Sequence, residues 1–84
     1  MELDLNDNQL TTVPAEIGQL TSLKGLGLWH NKLTSVPAEI GQLTSLEWLN
    51  LRENQLTRVP DSIRELRAAR CDVFLDDGVT VDEL

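Results

Sequence analysis

Apolar residues recur along this chain with a period of 23 positions. A shift of 23 residues superimposes Leu3 on Leu26 and Leu49, and it also superimposes Leu5/Leu28/Leu51, Leu10/Leu33/Leu56 and the Val-Pro pairs at 13–14, 36–37 and 59–60. A unit this short cannot bury its apolar side alone, so each unit must stack on its neighbour. The pattern therefore predicts a repeat protein with one continuous core.

Each unit has a strand-like half and a helical half. The Leu-x-Leu step has a period of two, which places both leucines on one side of a short strand and the intervening residues on the other. The Val-Pro-x-x-Ile-x-x-Leu half predicts a turn and a short helical segment, because proline fixes φ at its start and the apolar residues are three apart.

One asparagine follows the strand leucines in every unit, at Asn8, Asn31 and Asn54. At this point the chain leaves the strand, and its turn exposes backbone donors and acceptors that an amide side chain can satisfy with both its oxygen and its nitrogen. Stacked units would then form an asparagine ladder.

These positions spell L-x-x-L-x-L-x-x-N-x-L, complete from Leu23 to Leu33 and from Leu46 to Leu56. The chain resembles the intracellular 23-residue class of leucine-rich repeats. Its segment T-S-V-P-A-E-I-G-Q-L-T-S-L is similar to the repeat sequence of long arrays in protist proteins. The resemblance implies an α/β fold, a right-handed solenoid with a short parallel sheet on the concave side and turns and short helices on the convex side. It also implies binding to other proteins through the concave side.

The repeat frame divides one leucine-rich repeat domain, residues 1–84, into four parts. These are a truncated first repeat at 1–22, repeats at 23–45 and 46–68, and a C-terminal cap at 69–84. Neither a 23-residue nor a 24-residue shift fits every apolar position near the end, so the frame of the last strand within 70–81 stays open.

The C-terminal end departs from the repeat consensus. Helix formers fill 61–70, with Asp61 at the start and Arg67 and Arg70 at the end, which predicts a longer helix aligned with its dipole. Residues 71–76 alternate like a strand, and Asp77-Gly78 is typical of a hairpin turn. We expect a final strand and a short returning segment at 79–81 to close the solenoid.

The candidate binding surface consists of strand residues that point away from the leucines. Both tryptophans lie there, and Trp and Arg are enriched at binding hot spots. Glycine inside a strand marks a place where another group approaches the backbone closely. The candidate residues are Trp29, Trp48, Arg52, His30, Gly25, Gly27, Asn50 and Glu53. An alternative is that Trp48 folds over the neighbouring glycines and fills the depression itself.

Charge and composition narrow the function. The formal net charge of −7 argues against nucleic acid and anionic membranes as partners, since both require a basic surface. The only histidine, His30, has no nucleophile at suitable spacing, and His30 with Glu53 gives two metal ligands where three or four are needed. We therefore expect no enzyme activity, no metal and no cofactor.

The single cysteine, Cys71, cannot form an internal disulfide, and no signal peptide or paired-cysteine cap is recognised, which favours a cytoplasmic location.

Two functional hypotheses remain, and neither identifies a partner. The first is a protein-interaction module, a fragment of a longer array, that binds a protein or peptide on its concave face. The second is a structural or engineered repeat scaffold. In that case the apolar, uncapped N-terminal edge would form a homodimer or a higher oligomer. The sequence alone does not separate these hypotheses.

Overall fold

The computed structural model describes residues 1–83 as a sheet backed by helical segments. Its strands in chain order are β1 (Glu2–Asp4), β2 (Gly25–Gly27), β3 (Trp48–Asn50), β4 (Arg58–Val59), β5 (Asp72–Phe74) and β6 (Thr80–Val81). Four of them form one parallel sheet in the order β1-β2-β3-β5. Parallel neighbours require a crossover connection, and here each crossover carries a helical segment. The architecture is the α/β solenoid that the repeat predicts.

The sheet register explains why no single shift fits the whole sequence. Leu3 pairs with Leu26 and Leu26 with Leu49, so the first two steps are 23 residues long. Leu49 pairs with Val73, which makes the last step 24 residues. The longer step contains the seven-residue helix α1 (Ser62–Ala68), where the earlier units have five-residue 3-10 helices. The division of the chain into repeats at 22/23, 45/46 and 68/69 stays a prediction.

The leucines of the repeat form the core. Leu26 and Leu49 at the strand centres are fully buried, as are Leu23, Leu28, Leu33, Ile40 and Ile63. The first unit is covered on one side only, so Leu3, Leu5, Leu10 and Val13 are partly buried and Leu20 is exposed. Burial is therefore deepest in the middle of the stack, as expected when each unit contacts only its neighbours.

The helical segments stack through glycine. Pro14 and Pro37 precede the 3-10 helices Ala15–Gln19 and Ala38–Gln42, and their carbonyls accept the first helical N–H bonds. A Cβ added at Gly18 would lie 2.7 Å from the carbonyl oxygen of Glu39, and one added at Gly41 would lie 2.7 Å from Ser62 Cβ. Each glycine thus lets the next helical segment approach closely.

Helix α1 ends in a turn that normally carries glycine. The Cys71 N–H donates to the Leu66 carbonyl and the Arg70 N–H to that of Arg67, which is the Schellman pattern. Arg70 occupies the left-handed position with φ 70°. The chain then enters β5 with the Cys71 side chain in the core. Burial raises the pKa of the Cys71 thiol, and the Asp72 carboxylate raises it further.

The final segment corrects the expectation of a hairpin. Asp77 and Gly78 do form a turn, and Gly78 adopts φ 87°. However, β6 does not pair with β5. It lies parallel to β4 in a separate two-stranded sheet, with Val59 opposite Val81. The physical reason is that Thr57 and Val59 offer backbone acceptors to the Thr80 and Asp82 N–H groups.

Arginines of α1 hold this C-terminal segment. Arg64 donates to the carbonyls of Val81 and Asp82 at 3.0 and 3.1 Å, and Arg67 donates to that of Val73 at 3.1 Å. Arg67 lies in the last turn of α1, as the sequence predicts for a helix aligned with its dipole, and both arginines also satisfy carbonyls of the last strands. No helix within residues 1–83 has the length and apolar character needed to cross a membrane.

Candidate interaction surface

The asparagine ladder fixes the turns that flank the sheet. Asn31 Oδ1 accepts the Leu10 N–H at 3.1 Å, and its Nδ2 donates to the carbonyls of Leu5 and Leu28 at 2.9 and 3.1 Å. Asn54 repeats the same arrangement one unit later, with the Leu33 N–H at 3.0 Å. Both amides bond to their own turn and to the preceding one. The strand ends are therefore held in fixed positions.

Asn8 belongs to the ladder by position but has fewer contacts. Its Nδ2 donates to the carbonyls of Leu5 and Asn6 within its own turn. Among residues 1–83, its Oδ1 accepts no hydrogen bond from an earlier turn. The ladder therefore connects units at Asn31 and Asn54, whereas Asn8 closes only its own turn.

Beside each ladder residue the backbone adopts a left-handed conformation at a non-glycine residue. Asp7, His30 and Glu53 have φ values of 57°, 58° and 59°. The His30 Nδ1 lies 2.6 Å from Asp7 Oδ1, and the Asp76 carboxylate accepts the Glu53 N–H at 2.9 Å. These side chains leave the sheet at its carboxyl edge, and their contacts join neighbouring turns.

The two glycines of β2 are covered from within the chain. A Cβ at Gly25 would collide with the Trp48 indole, and one at Gly27 would lie 2.9 Å from Asn6 Oδ1. Both glycines are buried. The Trp48 Nε1 reaches across β2 and donates to Glu2 Oε2 at 3.2 Å. Trp48 thus adopts the alternative arrangement, in which it fills the depression, and neither glycine forms an open floor.

The accessible part of the face lies around Trp29. Trp29 is 36% exposed, and its ring lies beside that of His30 with centroids 5.2 Å apart. Arg52, on the neighbouring strand's turn, is exposed and forms no ion pair among residues 1–83. Asn50 is half-buried, and its Oδ1 accepts the Arg52 N–H at 3.1 Å.

Phe74 is a surface residue that the sequence analysis did not single out. It pairs in register with Asn50, points away from the core and is 44% exposed. The strand-like alternation of 71–76 already placed it opposite Cys71 and Val73, so the signal was present. Phe74 shares a register row with Gly27, so Trp29 lies two strand spacings across the sheet and two residues further along it, about 12 Å away in total. They are the exposed aromatic residues of this face.

Within residues 1–83 there is no detected pocket and no group of three or more His, Cys, Asp or Glu side chains able to hold a metal ion. The candidate residues instead form a shallow surface with aromatic and charged groups. We call this surface, made of Trp29, His30, Asn50, Arg52, Glu53 and Phe74, the aromatic face.

Replacing Gly25 with alanine is expected to displace the Trp48 indole, because the added methyl group occupies the position of the ring. The indole would lose its bond to Glu2, its emission would shift to longer wavelength, and unfolding would cost about 1–2 kcal/mol less. The measurement is made in a Trp29→Phe background, so that Trp48 is the only emitter. Unchanged emission and stability would show that Trp48 does not rest on Gly25.

Comparison with known proteins agrees with this geometry. A family model described as "Leucine rich repeat" matches residues 21–70, and a second leucine-rich repeat model matches residues 1–20. The solved structure of a leucine-rich repeat protein from Leptospira interrogans is similar, with 39% identity and a TM-score of 0.80. The match covers 98% of this chain and 20% of that protein, so this chain spans about one fifth of its length. No curated protein matches the sequence.

Proposed function

Because the chain belongs to the leucine-rich repeat family, whose members generally mediate protein–protein interactions and are typically not enzymes, we propose that it binds a protein or peptide on the aromatic face. The observation that supports this proposal is the exposure of Trp29 and Phe74 on a sheet face that residues 1–83 leave uncovered. Large aromatic side chains are enriched among residues that dominate binding energy.

Trp48 and the glycines have an indirect role in this proposal. The Trp48 indole covers Gly25 and donates a hydrogen bond to Glu2, so it forms a fixed part of the sheet surface beside Trp29. His30 is fixed against Asp7 and Glu53 against Asp76. Arg52 and Asn50 lie between the two aromatic residues and are free to contact a partner with polar groups. The surface is therefore preorganised, which lowers the entropic cost of binding.

The size of the surface limits the partner. The four strands are spaced about 4.8 Å apart, and each strand together with the residues of the turn that follows it exposes about 17–20 Å of length. These dimensions give a face of roughly 300–400 Å². A standard interface buries about 800 Å² on each partner. An extended peptide segment fits this area, whereas a tight complex with a globular protein requires further surface from a longer array or a second copy.

The test is selection of phage-displayed random 12-residue peptides on the immobilised 84-residue protein. Selected peptides are then measured against Trp29→Ser/Phe74→Ser, with Leu20→Ser as the control for loss of exposed apolar area elsewhere. We expect the double variant to weaken binding at least about 10-fold, since aromatic anchors carry 2 kcal/mol or more. Peptides that bind the double variant as well as the parent would overturn the proposal.

A second candidate is self-association through the N-terminal edge, and a specific observation favours it. Strand β1 is the first in the sheet order, Met1 is 61% exposed, and the apolar residues of the first unit are only partly buried. Unpaired strand edges with apolar flanks are prone to pairing with another chain. A two-fold arrangement of two such edges would be self-limiting.

Light scattering across a dilution series tests this second candidate. A dimer that dissociates on dilution, and that a polar capping repeat fused before Met1 abolishes, would support it. A particle that stays monomeric at every concentration, or an oligomer that the fused repeat leaves intact, would exclude the N-terminal edge as the interface.

A further inference from the structure

The surroundings of the aromatic face carry a large excess of negative charge. One guanidinium, that of Arg52, faces six carboxylates on or directly after the sheet strands, those of Glu2, Asp4, Asp7, Glu53, Asp72 and Asp76. His30 lies against Asp7, and Lys24 and Glu47 form a pair at 3.6 Å that adds no net charge. Five of the six carboxylate residues are exposed, and Asp76 is partly buried.

Most other basic residues of the chain are committed elsewhere. Arg58 pairs with Asp82 at 3.0 Å, and Arg64 and Arg67 donate to backbone carbonyls of the C-terminal strands. These arginines belong to β4 and α1, outside the four-stranded sheet. Lys32, in the turn after β2, and Arg70, just before β5, are exposed and form no ion pair among residues 1–83. Even with these two and Arg52, six carboxylates face three cations, so the negative potential at the aromatic face is only partly compensated. A surface with charge of one sign attracts partners of the opposite charge and repels partners of the same charge.

We propose that the occupant of the aromatic face is an extended peptide segment rich in lysine and arginine, an inference that rests on the function proposed above. The negative charge of the surface favours a positively charged peptide, and the exposed rings of Trp29 and Phe74 provide apolar contact area. A cationic side chain over the Trp29 ring gains a cation–π interaction, and the same cation remains near carboxylates. The separation of Trp29 from Phe74, about 12 Å, corresponds to about three to four residues of extended chain.

The tests use peptides obtained from the phage selection and synthesised individually. We expect an excess of lysine and arginine over aspartate and glutamate. We also expect the affinity to fall about 10-fold or more between about 50 and about 300 mM sodium chloride, because exposed charges are screened over this range. Glu53→Gln/Asp72→Asn should weaken binding about 5-fold or more, since both side chains are exposed on this face and accept no hydrogen bond among residues 1–83.

The matched control is Glu16→Gln/Glu39→Gln, which removes the same net charge from the first turns of the two 3-10 helices. It should leave the affinity within about 2-fold. Equal effects of the two double variants would mean attraction to overall charge and would overturn the inference, as would a library that yields no binder.

The inference and the proposed function fail in different ways. Peptides that need Trp29 and Phe74 but are neutral, acidic or insensitive to salt would overturn the inference and leave the proposed function standing. Peptides that bind equally well without the two aromatic side chains would overturn both.

Discussion

Replacing Asn31 with leucine is expected to lower the free energy of unfolding by about 1–3 kcal/mol, because a buried backbone N–H loses its acceptor and the link between two turns is removed. The substitution leaves the Leu10 N–H of the preceding turn without its acceptor and removes one of the two amides that donate to the Leu5 carbonyl, the other being Asn8. Asn31 is 5% exposed, so water reaches these groups poorly. For a chain of this size the loss is a large share of total stability. Urea denaturation followed by circular dichroism measures it.

The matched control for Asn31 is Asn8→Leu. Asn8 occupies the equivalent position, but it is exposed and its donor bonds lie within its own turn. We expect a loss of no more than about 1 kcal/mol, since water can replace those bonds. Equal losses at the two positions would show that the effect comes from turn closure within one unit and not from coupling between units.

The second large effect is expected at Gly41, where alanine should destabilise the fold by about 1–3 kcal/mol through overpacking. The added methyl group would lie 2.7 Å from Ser62 Cβ and 3.2 Å from Glu65 Oε2. Ser62 is buried at the start of α1, so it cannot simply rotate into solvent. The helix must move away from the 3-10 helix Ala38–Gln42, which opens the core beneath Ile63. Thermal and urea unfolding measure the change.

A double-mutant cycle separates this contact from helix propensity. Ser62→Gly removes the Cβ that the new methyl group meets, so the combined variant should be less destabilised than the sum of the single changes by about 1 kcal/mol or more. Ser62 also has a buried hydroxyl without a hydrogen-bond partner among residues 1–83, so its removal sacrifices no such bond. Strict additivity would contradict the predicted clash.

The sequence was sufficient to predict the features that the repeat itself imposes. The paired leucines predicted the parallel strands, and the asparagines at positions 31 and 54 predicted the ladder. Both predictions succeed because these positions have equivalent neighbours in successive units. Helix formers at 61–70 gave α1, since a run of good helix formers with suitable terminal charges is a local signal.

Features set by contacts between unlike residues were harder to predict. The direction of the Trp48 ring depends on an empty Cβ position at Gly25 and an acceptor at Glu2, two units apart along the sheet. The pairing of β6 with β4 depends on backbone groups that any sequence can offer. The one-residue difference in the last step follows from the change to an α-helix, which alters the chain length needed to return to the sheet.

The equal 23-residue steps between β1, β2 and β3 also bear on how such a chain can change in length over evolution. A tandem duplication or deletion of one complete 23-residue segment returns the core leucines and the ladder asparagines to equivalent neighbours, so the gene can gain or lose a unit while the contacts of the core and the ladder are kept. The 24-residue step to β5 lacks this property, because the longer helix α1 replaces the 3-10 helix of the earlier units and the step is one residue longer. Growth of an array is therefore expected upstream of residue 46, while the arginine-held end is inherited as a single piece.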